Sequence, residues 1–152
     1  MDYTPCAFTD SQHPHITTHA HELALTVLFE SGLQHLADRP ESFLAQPQPV
    51  RNFLSGLPAA WDETRFVSGY PGQSAVLARR SGTTWYVAGI NGTDASSTLS
   101  CDLSFIGGRR HITLFADSGD ASSPWQITHP ARLPAAVTCR PRGGFVCVIR
   151  PL

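Results

Sequence analysis

Residues 74–92 read SAVLARRSGTTWYVAGING, two strand-length runs, SAVLARRS and TTWYVAGI, parted by Ser81-Gly82 and closed by Asn91-Gly92. Their period of two and their flanking turn residues predict adjacent half-buried strands rather than a helix, whose apolar positions recur at three and four. The same grammar extends in both directions. WDETRFVSG precedes the pair, and STLSCDLSFI, RHITLFADS, ARLPAAVTCR and GFVCVIRP follow it. Tyr70-Pro71-Gly72, Gly107-Gly108, Ser118-Gly119 and Gly143-Gly144 separate these runs. Seven or eight short strands at this spacing predict an antiparallel β-sandwich over residues 59–152.

Upstream of position 58 the pattern changes. HAHELALTVLFESGLQHLA, residues 19–37, carries Ala20, Leu23, Ala24, Val27 and Leu28 on one face, widened by Leu25, Phe29, Leu33 and Leu36. That stripe predicts one long amphipathic helix capped by Thr17 or Thr18, with Glu22 in its first turn, and stopped by Pro40. Residues 40–58, with four prolines, predict a connector holding one or two helical turns. A lone strand-like peptide and a broadly apolar helix cannot bury themselves. Residues 1–58 therefore read as the last strand-helix unit of a (β/α)8 barrel, a unit that packs against further strands and helices. On this reading the helix lies exposed and invites self-association, and Met1 is an internal methionine of something longer.

Composition narrows the function. The 152 residues have a formal net charge of -1, and all eleven basic residues are arginine, so no basic field exists to attract nucleic acid or anionic lipid. No apolar run approaches the length of a membrane span, and no basic-then-apolar signal peptide opens the chain, which taken literally places it in the cytoplasm. Cys6, Cys101, Cys139 and Cys147 form no C-x-x-C pair and sit in strand-like contexts, as small apolar core residues do.

Candidate chemistry is sparse. His13, His15, His19 and His21 suggest a metal site, but His19 and His21 diverge by about 200° on a helix, so a polar loop or the rim of an active site is the better reading. Glu22 and Glu30 lie eight helical residues apart, about 12 Å of rise, and neither pairs with Glu63 in a fixed geometry. Asp62 and Glu63 alternate across a strand. Asn91-Gly92-Thr93 matches a glycosylation acceptor, yet a tight hairpin turn explains it better. Trp61, Trp85, Tyr86 and Trp125 offer sugar-stacking platforms or, as aromatics in sandwiches more often do, core. Asp2 and Tyr3 end the first strand-like peptide. At the carboxyl end of a barrel strand they would line a sugar pocket; otherwise they are a turn Asp and a packed Tyr.

The blocks MDYTPCAF, TTHAHELALTVLFESGLQHLAD, FLSGLPAAWDETRFVSGYPGQSAVLARRSGTTWYVAGING and GGFVCVIR, in that order, resemble the C-terminal portion of glycoside hydrolase family 97. The resemblance covers nearly the whole chain. It implies a three-part enzyme: an N-terminal β-sandwich, a catalytic (β/α)8 barrel with a calcium ion, and a C-terminal β-sandwich. The implied activity is exo-hydrolysis of terminal α-linked glucose or galactose from oligosaccharides, in the periplasm of carbohydrate-degrading bacteria, mostly Bacteroidetes. It also implies that the catalytic carboxylates and the calcium-binding glutamates lie upstream of MDYTP. No catalytic or metal-ligating residue is then carried onto this chain, whose partners are the missing sandwich and barrel. Only Asp2 and Tyr3 remain, as substrate-binding residues at the pocket edge. The alternative is a standalone carbohydrate-binding or assembly sandwich without catalysis.

Overall fold

The computed structural model describes residues 3–10, 13–120 and 123–152. The pair that opens the sequence argument forms as read. β2 (Ser74–Ser81) and β3 (Thr84–Asn91) are antiparallel in unbroken register from Ser74↔Asn91 to Ser81↔Thr84. Gly82 makes their tight turn possible by adopting a left-handed φ of 57°.

Around this hairpin β1 (Glu63–Tyr70), β5 (Arg110–Asp117), β6 (Trp125–Thr128) and β8 (Gly144–Pro151) complete a six-stranded antiparallel sheet in the order β1-β2-β3-β8-β5-β6. β4 (Ser97–Ser100) and β7 (Ala136–Cys139) make a separate two-stranded sheet. The chain is thus mostly β, with the antiparallel sandwich expected of its second part.

The two sheets are unequal, and the helices make up the difference. One core cluster joins Val76, Val87 and Phe145 of the large sheet to Leu99, Val137 and Cys139 of the small one. A second covers the opposite face of the large sheet, where Tyr86, Ala88, Phe115, Val146 and Val148 meet Leu23, Ala24, Val27, Val50 and Phe53. Trp85 and Val87 therefore belong to one core and Tyr86 and Ala88 to the other, which is why β3 and β8 are buried on both faces.

The helical layer departs from expectation in three ways. First, α1 runs only over His19–Leu28. Phe29 turns extended while its N–H still bonds Leu25, and the Ser31 hydroxyl bonds the Leu33 backbone instead of continuing the ladder. The chain then doubles back, and Gln34 pairs in parallel with Tyr3, with His35 and Ala37 donating to the carbonyls of Tyr3 and Pro5.

Second, the connector forms two short helices, α2 (Pro40–Leu44) and α3 (Gln48–Ser55).

Third, α1 is not exposed. Ala20, Leu23, Ala24 and Val27 are each 0% accessible, because the sandwich itself supplies the surface they need.

A further correction concerns Asn91-Gly92. β3 pairs with β2 and β8, whereas β4 pairs with β7, so this dipeptide leads from one sheet to the other and is no hairpin. Asn91 is fully buried and bonds the carbonyls of Ala95 and Arg140 through its amide nitrogen, while its oxygen accepts from Thr93. It braces the crossover and is not an exposed acceptor.

Candidate functional site

The first segment is held by two carboxylates. Asp38 accepts from the backbone N–H of Phe8 at 2.7 Å and of Thr9 at 2.9 Å, and from the Ser42 hydroxyl at 2.5 Å. Glu22 accepts from the N–H of Ala7 and from the Thr17 hydroxyl. Between them Cys6, fully buried, takes a left-handed φ of 71°, an unusual state for a residue with a Cβ. Burial penalises the Asp38 carboxylate, but the donors of Ser42, Phe8, Arg39 and Thr9 outweigh it and leave the pKa below the usual value.

Beside this strap lies an open cleft of about 770 Å³ walled by Thr9, His13, His15, Thr17, Glu22 and Asp38. Its own histidines are His13 and His15, and the other two of the leading segment, His19 and His21, lie outside its lining. His15 bonds Asp10 at 2.6 Å; His19 stacks on Phe8 and abuts Trp125; His21 turns inward to the Gly143 carbonyl. Burial lowers the pKa of His19 and of His21, disfavouring the protonated form of each. Among the described residues no group of three His, Cys, Asp or Glu side chains could hold a metal. The donor set does not suit calcium either, because the Glu22 and Asp38 oxygens are already taken by N–H and O–H groups.

Of the two site residues expected from sequence, Asp2 lies outside the described residues. Tyr3 stacks on Phe29, with ring centroids 4.4 Å apart. The other carboxylates are structural: Glu30 pairs with Arg79, Glu63 with Arg65 and Arg80, and Asp62 accepts from the Gly82 N–H. The aromatic platforms are mostly core, since Trp85, Tyr86 and Trp125 are at most 8% accessible, and Trp61 lies edge-on to Tyr86. The four cysteines are free and buried, with thiol pKa values pushed up by burial, to about 11 for Cys101 and about 12 for Cys139 and Cys147.

A model described as "Glycosyl-hydrolase 97 C-terminal, oligomerisation" matches residues 60–150. The chain belongs to glycoside hydrolase family 97. A "Probable retaining alpha-galactosidase" of Streptomyces bingchenggensis is 47% identical over 120 residues, 79% of this chain and 19% of the relative. A "Retaining alpha-galactosidase" of Bacteroides thetaiotaomicron is 36% identical over 121 residues, 79% of this chain and 18% of that protein. The chain thus spans about a fifth of the length of these curated relatives. Among solved structures, a β-arabinopyranosidase superposes with a TM-score of 0.79 at 34% identity, covering 91% of this chain and 22% of that one. A family 97 enzyme of Pseudoalteromonas sp. strain K8 superposes at 0.83 with 25% identity, covering 98% and 26%.

Sequence reasoning missed the residues that tie this family 97 segment together. Asp117 is 7% accessible and accepts from the Thr18 hydroxyl at 2.5 Å, the Arg140 N–H at 2.9 Å and the Gly144 N–H at 3.1 Å. Arg79 is buried to 2% beneath α1, bonding Glu30 and the Leu28 carbonyl. An arginine and an aspartate in strands read as apolar runs were the available signals.

Proposed function

We propose that this chain is the C-terminal support of an exo-acting family 97 α-glycosidase that removes terminal α-linked galactose, in preference to glucose, with retention of configuration. The observation that carries the reading is the identity to two α-galactosidases, 47% and 36%, each over 79% of this chain. Within the proposal the catalytic carboxylates and calcium ligands sit in the remaining four fifths of such an enzyme, which is exported to the periplasm. This chain supplies the final barrel unit and a rigid base.

The packing supports that assignment. The inner face of α1 is satisfied by the sandwich, but Ile16, Leu33, Leu36 and Leu44 remain 40–80% accessible on the helical side, where barrel elements would lie.

The test is complementation. The chain alone should not turn over p-nitrophenyl α-galactoside or α-glucoside. Joined to the upstream portion of the Streptomyces relative, it should restore α-galactoside hydrolysis above α-glucoside hydrolysis. Turnover by the isolated chain, lost in Glu22→Gln or Asp38→Asn, would refute the reading, and so would a joined enzyme that prefers the glucoside.

A further inference from the structure

At the end of the large sheet remote from the Asp117 contacts, β5, β8 and α3 enclose a second cleft of about 230 Å³ that the strap does not touch. Its floor is apolar, formed by Phe53 and Phe115, which are 4% and 2% accessible. Its rim carries Gln48, Asn52, Thr113, His129 and Arg150, and no carboxylate lines it. His111 joins this rim from two directions: it is the cross-strand partner of Arg150, and its ring stacks on His129 at 5.6 Å.

The hydrogen bonds already made leave this rim rich in donors. His129 Nδ1 lies 3.3 Å from both the Ile112 carbonyl and the Thr113 hydroxyl, and where it accepts from that hydroxyl the ring proton sits on Nε2, which is then a donor. Gln48 accepts from Arg51 through its oxygen and donates through Nε2 to the Asn52 oxygen, which leaves the Asn52 amide nitrogen as a free donor. The side chains of Arg150 and His111 make no hydrogen bond or ion pair with any described residue. Elsewhere on the surface Arg65, Arg80 and Arg142 each hold a carboxylate.

We propose that this cleft binds a small oxyanion, a phosphate, sulfate or sugar carboxylate, with the Arg150 guanidinium as its main counter-charge and His111, His129 and Asn52 as further donors. A planar guanidinium matches the geometry of these groups, and charge-assisted hydrogen bonds are about twice as strong as neutral ones. The apolar floor excludes water from one side of the anion and admits the body of a monosaccharide. The site is independent of the proposed glycosidase function.

The test is an amide chemical-shift titration of the full chain with inorganic phosphate, galacturonate and neutral galactose at constant ionic strength. Phosphate or galacturonate should give saturable shifts at Asn52, Thr113, Val148 and Arg150, and galactose should give none. Saturation by galacturonate alone places the anion on a sugar; saturation by phosphate places it on a phosphoryl group or free ion. Arg150→Gln and His111→Gln should each weaken binding, the former about tenfold. Arg109→Gln, outside the cleft, should leave it unchanged. Non-saturating shifts, equal response to galactose, or equal weakening by Arg109→Gln would overturn the proposal.

Discussion

Replacing Asp117 should loosen the attachment of α1 to the sandwich, and the size of the loss follows from what the carboxylate bonds. In Asp117→Ala three donors lose their acceptor at once: the Thr18 hydroxyl, the partly buried N–H of Arg140 and the buried N–H of Gly144. Leaving a buried donor unsatisfied costs about 1–3 kcal/mol, so the variant should lose about 3–6 kcal/mol, a large share of a typical domain's 5–15 kcal/mol. Asp117→Asn should lose less. Its single oxygen can take the place of Oδ2 and hold both N–H groups, while its amide donates to the Thr18 oxygen, so only the charge assistance goes, about 1–2 kcal/mol.

Thr18 gives the second arm of the experiment. Its oxygen also accepts from the His21 N–H as the N-cap of α1, so Thr18→Ala alone should cost about 1–2 kcal/mol. Because the two side chains share one hydrogen bond, their effects should be sub-additive in the double mutant by about 0.5–2 kcal/mol. Urea denaturation measures the totals, and hydrogen exchange at the α1 amides locates them. Equal losses for Asp117→Ala and Asp117→Asn, or strict additivity with Thr18→Ala, would refute the clamp. Gly143 belongs to the same argument: a Cβ there would sit in contact with Asp117 Oδ2 and 2.8 Å from the Arg140 nitrogen, so Gly143→Ala should weaken the protein.

Four other outcomes are expected. Burial lowers the pKa of His21 below the usual 6.5, so the unfolded chain binds more protons than the folded one as pH falls. Stability should therefore be full above about pH 7 and decline below about 6.5, by at most about 1.4 kcal/mol per pH unit for this group until the folded-state pKa is passed, and His21→Gln should flatten that part of the urea midpoint profile. Gly89→Ala should lose about 1–3 kcal/mol by thermal melting, because its Cβ would overlap the Phe145 ring, and Phe145→Leu in the same chain should recover part of the loss. Asn91→Ala strips partners from Thr93, Ala95 and Arg140 and should cost about 2–4 kcal/mol by urea denaturation. A polypeptide of residues 59–152 alone should self-associate in sedimentation velocity, whereas the full chain should not do so through α1.

How far the sequence foretold this fold depended on whether the deciding contacts were local. β2 and β8 occupy the runs read for them, Ser74–Ser81 and Gly144–Pro151, because their turns and their two-residue period lie within the runs themselves. The run from 97 to 106 was over-read as a strand. Only Ser97–Ser100 pair, and Cys101, Leu103 and Ile106 fill the inter-sheet core from a loop, which looks the same in hydrophobicity. β6 escaped notice because Trp125–Thr128 is four residues long. For α1 the cap at Thr18 was readable, but the end at Leu28 was not, since the apolar positions beyond it serve a return strand and exposed surface. The strap carboxylates Glu22 and Asp38 bond partners 15 and 30 residues distant, a range over which periodicity carries no information.

The boundary near residue 58 is a change of sequence grammar, and the packing crosses it. If the sandwich ended at its own strands, the helix-side face of the large sheet would present Tyr86, Ala88, Phe115, Val146 and Val148 to water, and these are among its most buried side chains. The leading segment is therefore the third layer of the sandwich. Thr18 and His21 bind that layer to the sheet through polar contacts to Asp117 and to the Arg142 and Gly143 carbonyls of the β7–β8 turn. The sandwich and the leading segment are thus joined by a shared core and by hydrogen bonds rather than through a flexible linker.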